Sequence, residues 1–137
     1  RRITHLSAAK LRLGGRPENT FVGGESMGGF GALHTALSRP ETFGCAIALS
    51  SALIIHQVAH EAQLRACSRH GRLRYYTSTF GDPADVEDSA NNPETLVKHL
   101  LAAGKAVPRL FMACGTEDFL IENNRAFHDF LMEPAFQ

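Results

Sequence analysis

The 137-residue sequence has no excess of charge of either sign, since 14 basic residues balance 14 acidic ones. That balance offers nothing to attract nucleic acid or an anionic membrane surface, the partners expected of a strongly basic chain. Cysteine is scarce: Cys45, Cys67 and Cys114 are odd in number, widely separated and without a C-x-x-C spacing. This excludes a disulfide framework or a cysteine metal site, and the three read as small buried hydrophobes in a reducing, cytoplasmic setting. No apolar run approaches the roughly 20 residues that cross a bilayer, and no signal-peptide pattern opens the chain. Repeats and low-complexity tracts are also missing. The one local concentration of charge, Arg65, Arg69, His70, Arg72 and Arg74, reads as the solvated face of a surface segment.

What is present is an alternation of strand and helix patterns in a chain of one-domain length. "ITHLSAAKLRLGG" places Ile3, Leu6, Leu11 and Leu13 at helical spacing and stops at Gly14-Gly15, the tail of an amphipathic helix. "RPENTFVGG" predicts a turn and a short strand. "SMGGFGALHTALSRP" predicts a helix with Phe30, Leu33 and Leu37 on one face, ending before Pro40. "FGCAIALSS" is a continuous apolar run, the pattern of a strand covered on both faces. From Ala52 to Val107 comes a long excursion, helical at Ile54, Ile55, Val58 and Ala62 and irregular over "TSTFGDPADVEDSA". It closes on a helix with Asn92 as N-cap, Pro93 at the first position, Leu96, Leu100 and Ala103 on one face, and Gly104 beyond the end. "PRLFMACGTEDF" and "IENNRAFHDFLMEP" predict a last strand and helix. Strands separated by helices imply a parallel sheet with helices on both faces, an α/β class in three layers.

The stretch Gly24-Glu25-Ser26-Met27-Gly28 matches G-x-S-x-G and lies between a predicted strand and a predicted helix, where that motif makes a sharp turn presenting a serine hydroxyl. Gly24 and Gly28 are expected to spare clashes across the turn, and Gly29 and Gly31 to let the helix pack closely on the strands. Ser26 is the candidate nucleophile, and the Met27 N–H at the helix N-terminus is a candidate oxyanion donor. A serine nucleophile needs a base held by an acid. Asp118, after the last predicted strand, fits the acid by position; Glu117 is its rival, and the alternative for Asp118 is a plain helix cap.

The blocks "FVGGESMGGFGALHTALSRPETFGCAIALSSAL" and "PRLFMACGTEDFLIENNRAFHDFL", with "TFGDP" between them, resemble the esterase D branch of the α/β-hydrolases. The chain looks nearest to tributyrin esterases and is more distantly similar to S-formylglutathione hydrolases, feruloyl esterases and mycolyltransferases. The resemblance implies a serine carboxylesterase for short-chain acyl esters, with Ser26 as nucleophile and Asp118 as acid. Glu25 departs from it, standing where relatives carry an apolar residue. In this family order the base follows the acid, and only His128 does so here, ten residues on within a helix, which carries it roughly 10 Å or more from the strand edge. The resemblance therefore implies a histidine after residue 137, and strands and a second oxyanion N–H before residue 1: a central fragment, incomplete at both ends. A catalytically inactive hydrolase-like chain and an acyltransferase are the competing readings.

His56 and His60 stand four apart with Glu61 following, but no third ligand has metal spacing, so they read as surface or pocket-rim histidines. His34 reads as packed or solvated. Asp82, Asp85, Glu87 and Asp88 lack the glycine and terminal glutamate of a calcium loop. Neither a metal nor a cofactor is expected, and the expected partner is a small-molecule ester, with homo-oligomers allowed and neither nucleic acid nor membrane involved. The expected organisation of residues 1–137 is a nucleophile-elbow half (1–51), a cap-like excursion over the pocket (52–107) and an acid-bearing strand and helix (108–137).

Overall fold

The computed structural model describes residues 15–64 and 70–134, with the backbone alone at 61–64 and 70–73. Strands β1 (Phe21–Glu25), β2 (Cys45–Leu49) and β3 (Arg109–Ala113) form a parallel sheet in the order β1-β2-β3. Phe21 lies opposite Cys45, and Cys45 opposite Arg109. The helices are α1 (Met27–Ser38), α2 (Ile55–Leu64), α3 (His70–Phe80), α4 (Pro93–Ala102) and α5 (Ile121–Leu131), with 3-10 turns at Pro17–Asn19 and Val86–Asp88. The helix expected over residues 3–13 lies outside the described residues, as do Arg65, Cys67 and Arg69 of the features singled out above.

Helix α1 lies against β1 and β2 because its stripe of Phe30, Leu33, Ala36 and Leu37 meets a strand face made of small side chains, Ala46 and Ala48, both fully buried. Small residues in β2 let the helix approach closely while its leucines fill the space on either side. Around this contact gather Val58 and Ala59 of α2, Phe80 at the end of α3, Val86, Val97 and Leu100 of α4, and Phe127 and Phe130 of α5. Phe80 meets Phe30 edge-on, centroids 5.1 Å apart at 76°, an orientation aromatic pairs favour.

The period-2 alternation of the strands divides their residues between two faces. Val22, Ala46, Ala48, Leu110 and Met112 point to the helices. Phe21, Ile47, Leu49 and Phe111 are exposed on the other face, Phe21 and Phe111 by more than half. The sequence predicts β2 to be covered on both faces; among the described residues the helices cover one.

Helix α4 has the expected ends. Asn92 accepts the Glu94 N–H through its side chain at 3.1 Å, and beyond Ala103 the backbone turns at Gly104 (φ 64°). There the N–H of Gly104 donates to Leu101 and that of Lys105 to Leu100, both at 2.9 Å, a Schellman pair. Its buried positions are Pro93, Thr95, Val97 and Leu100, with Leu96 packed against the core; Leu96 and Leu100 thus face inward as expected, while Ala103 is exposed. The "TSTF" expected to be irregular is the last turn of α3. Cys45 and Cys114 are free and half-buried rather than buried.

Candidate active site

The carboxyl ends of the three parallel strands carry the chemistry-bearing residues. β1 ends at Glu25, and Ser26 then takes φ 55°, ψ −119°, a backbone that residues with a Cβ rarely adopt. Three hydrogen bonds hold it there. Its N–H donates to Leu49 O at 2.9 Å, and its carbonyl accepts from Phe30 N at 3.1 Å and from Ala52 N at 3.0 Å. The side chain is left exposed above the sheet edge.

Gly24 is required sterically, because a Cβ there would overlap the Gly28 carbonyl. Gly29 is required as well: a Cβ there would overlap the Ser51 hydroxyl and crowd Leu49 O at 3.1 Å. Added Cβ atoms at Gly28 and Gly31 would meet nothing within 4 Å, so the expected clash reasons do not hold for these two. Gly28 contributes the backbone that Gly24 must pass. Met27 opens α1, and its N–H belongs to the first turn, whose amides have no partner within the helix. These amides and the helix dipole favour negative charge beside Ser26.

On β2 the strand end is also turned outward. Ser50 has φ 41° and donates its N–H to Ala113 O at 2.7 Å, continuing the β2–β3 ladder by one residue. Ser51 is fully buried, and its backbone is clasped by the Asn124 side chain of α5, which accepts from Ser51 N at 3.3 Å and donates to Ser51 O at 2.9 Å. Asn124 also donates to Leu120 O at 2.9 Å, and Asn123 donates to Leu53 O at 3.1 Å.

Asp118 stands in the turn after β3. Its Oδ1 accepts the Leu120 N–H at 2.9 Å, and its N–H donates to Gly115 O at 3.1 Å. The Leu120 amide, and after it the Ser50 hydroxyl, hold the carboxyl below its ordinary value, against a weaker push from desolvation. The N-cap of α5 is Leu120, and the Asp118 carboxylate accepts the amide of that residue, so the hydrogen bond also ties Asp118 to the start of α5. Glu117 is exposed. With β2 between them, the ends of β1 and β3 lie two strand spacings apart, roughly 10 Å, a gap that an imidazole with a hydrogen bond on each side can bridge.

The structure thus gathers Ser26, Met27 and Asp118 at one sheet edge, with Ser50 between. It leaves His128 on the exposed side of α5, 3.1 Å from Asp129. His34 stacks on Phe30, and His60 is exposed. His56 lies between two carboxylates, Nδ1 2.6 Å from Glu87 and Nε2 3.1 Å from Glu94. Among the described residues no histidine is hydrogen-bonded to Ser26 or Asp118. Sequence reasoning missed Ser50, Ser51 and Asn124. Asn124 had a readable signal, since it stands three residues before Phe127 on the buried stripe of α5, where an amide must have a dedicated partner. The positive φ of Ser50 has no sequence signal.

The family model described as "Putative esterase" matches residues 6–131. The chain belongs to this esterase family. It is 40% identical over 114 residues to an acetyl esterase of Caldicellulosiruptor saccharolyticus, an alignment covering 83% of this chain and 42% of the relative. Among solved structures, this esterase-family chain is similar to the S-formylglutathione hydrolase FrmB of Staphylococcus aureus, with a TM-score of 0.76 at 24% identity, over 99% of this chain and 50% of that one. It is likewise similar to FphF, a fluorophosphonate-binding serine hydrolase of the same organism, with a TM-score of 0.74 at 25% identity and the same coverage. The fold is that of the α/β-hydrolases. The chain spans about half the length of the proteins it matches. Among its described residues no helix is long and apolar enough to cross a membrane.

Proposed function

We propose that this chain carries the nucleophile and the acid of a serine carboxylesterase for short-chain acyl esters, of the esterase D type and close to the tributyrin esterases. The observation that carries the reading is the backbone of Ser26: φ 55° in a residue with a Cβ, pinned by three hydrogen bonds at a strand-to-helix junction. Strain of this kind persists where the surrounding structure enforces it and is concentrated at functional sites. In the proposed reaction the Ser26 oxygen attacks the ester carbonyl carbon and its proton passes to a histidine. The Met27 N–H receives the developing oxyanion. The C–O bond to the alcohol breaks, the alcohol leaves with the proton, and water releases the acid from the acyl-serine by the same steps. Asp118, kept ionised by its amide and hydroxyl donors, orients the histidine and stabilises its charged form.

In this reading the histidine lies outside these 137 residues and the segment 52–107 roofs the pocket. The acetyl esterase relative supports a small acyl group. The half-buried free thiols Cys45 and Cys114 fit a reducing, cytoplasmic location. A second reading, a chain without turnover of its own, is favoured by one observation: no described histidine reaches Ser26 or Asp118. Hydrolysis of p-nitrophenyl acetate and butyrate, with fluorophosphonate labelling, decides between them when wild type and Ser26→Ala are compared. Label and turnover lost in Ser26→Ala support the esterase. Turnover by wild type that persists unchanged in Ser26→Ala removes Ser26 from the reaction, and an unlabelled wild type favours the second reading. An acyltransferase differs only in the acceptor, and added alcohols competing with water reveal it.

A further inference from the structure

Asn124 is buried, only 5% exposed, and its side-chain amide has a partner for every hydrogen. Nδ2 donates one to Ser51 O and one to Leu120 O, both at 2.9 Å, while Oδ1 accepts from Ser51 N at 3.3 Å. Turning the amide over would set an NH2 against an N–H and an oxygen against two carbonyls, so the partners fix its orientation. The helix does not need this set, because the Asn124 backbone N–H already donates to Leu120 O at 3.1 Å.

Each partner of the amide is bonded in turn to a residue of the site. On one side the peptide after Ser51 donates the Ala52 N–H to Ser26 O at 3.0 Å, one of the three bonds that hold the Ser26 backbone at φ 55°. On the other side Leu120, whose carbonyl accepts from Asn124, donates its own N–H to Asp118 Oδ1 at 2.9 Å. A continuous path of hydrogen bonds and short backbone steps thus runs from the Ser26 turn through Ala52 and Ser51 to Asn124, and on through Leu120 to Asp118. Strands β1 and β3 do not pair with each other, being separated by β2, and this path links the turns at their ends.

We propose that Asn124 is a positioning residue for the nucleophile and the acid together: its one amide holds the Ser51 backbone that steadies the Ser26 turn and the Leu120 residue that binds the Asp118 carboxylate, and so sets their spacing. The proposal rests on the reading of Ser26 and Asp118 as nucleophile and acid. It goes beyond that reading by giving a residue of α5 that touches neither of them a part in the site.

The test compares the 137-residue wild type with Asn124→Ala, Asn124→Asp and Val97→Ala, the last a core truncation in α4, away from the path, that lowers stability without touching the amide. NMR follows two groups that Asn124 does not contact: the Asp118 carboxyl through a pH titration, and the Ser26 N–H through its exchange with deuterium. In Asn124→Ala the Asp118 midpoint is expected to rise toward the ordinary carboxylate range. The Ser26 N–H should exchange about tenfold faster than in Val97→Ala, the equivalent of about one lost hydrogen bond. Asn124→Asp keeps the acceptor for Ser51 N but loses both donors, so at pH 7 it should show the same faster exchange, and it carries the test where Asn124→Ala does not fold. Unchanged signals in the Asn124 variants overturn the proposal. So do changes of equal size in Val97→Ala, which mark lost stability alone, and a change at only one of the two groups, which means that the amide serves one turn. Where wild-type Ser26 takes a fluorophosphonate label, labelling should slow several-fold in both Asn124 variants and not in Val97→Ala, and equal rates overturn the positioning role. Where wild type takes no label, the esterase reading fails by itself, while the two NMR signals still decide whether Asn124 joins the turns.

Discussion

The Ser51 hydroxyl occupies the space that a Cβ on Gly29 would need, so the first turn of α1 and the segment after β2 are fitted to each other at one atom. That hydroxyl is fully buried and has no hydrogen-bond partner among the described residues. Gly29→Ala is therefore expected to destabilise the chain by about 1–3 kcal/mol, the usual cost of overpacking. Ser51→Ala removes an unsatisfied polar atom and should be neutral or stabilising by up to about 1 kcal/mol. A cycle of urea midpoints with the double variant Gly29→Ala/Ser51→Ala should show coupling of at least about 0.5 kcal/mol, because the second change vacates the space the first one fills.

Ser26 stores strain that glycine would not. Ser26→Gly is expected to raise stability by about 1 kcal/mol, whereas Ser26→Ala keeps the Cβ and gains nothing of the kind. Both remove the hydroxyl and with it any fluorophosphonate label. Thermal unfolding of the two variants beside wild type separates these effects, and an equal melting temperature for all three would mean that the turn is unstrained.

Asn124 closes a span of 73 residues with two hydrogen bonds to the Ser51 backbone. Asn124→Ala leaves that buried N–H and carbonyl without their partner and should cost about 2–3 kcal/mol. Asn124→Asp keeps an acceptor for Ser51 N but sets a carboxylate against the carbonyls of Ser51 and Leu120, so its stability should recover as the pH falls. Denaturation of the aspartate variant at pH 4 and pH 7 reads this directly.

The helical spacing of "IIHQVAH", the caps at Asn92 and Gly104, and the serine turn were legible because each rests on short-range chemistry: apolar period, amide orphans, Cβ clashes. The site residues added by the structure have a different origin. Asn124 and Ser51 meet because α5 crosses the end of β2, and no local pattern encodes that crossing. The same limit governs the "CAIAL" strand. Its unbroken apolar run reports the chemistry of both faces, whereas Ile47 and Leu49 stay exposed because coverage depends on what else packs there. The stripe of α4 includes Leu96 and Leu100 but not Ala103, and Val97 joins it, because which flank of an apolar face is buried depends on what packs there.

His56 joins three elements: α2 carries it, Glu87 comes from the 3-10 turn and Glu94 from α4. A neutral imidazole has one N–H, so bonding two carboxylates requires the charged form. Burial pulls its pKa down, but the hydrogen bonds to Glu87 and Glu94 and their charges outweigh this, and the net shift is upward. Because the folded value lies above the unfolded one, the stabilisation is fully present below about pH 6.5, the unfolded value, and is lost as pH rises through the folded value. The group is more than half exposed, so the contribution is held to less than about 1 kcal/mol. Melting temperatures of wild type and His56→Gln should converge from pH 6 to pH 9, with wild type ahead at the acid end; a constant difference would show that the tie does not titrate.

The strand register also bears on the order of assembly. Phe21 meets Cys45 at a sequence separation of 24, whereas Cys45 meets Arg109 at a separation of 64. Closing the longer loop costs more chain entropy before any contact repays it. The β1–α1–β2 unit is therefore expected to form first, bending the chain at Ser26 before Asp118 arrives. Folding-rate analysis of Ala46→Gly and Leu110→Ala should then find the first site largely formed in the transition state and the second formed late.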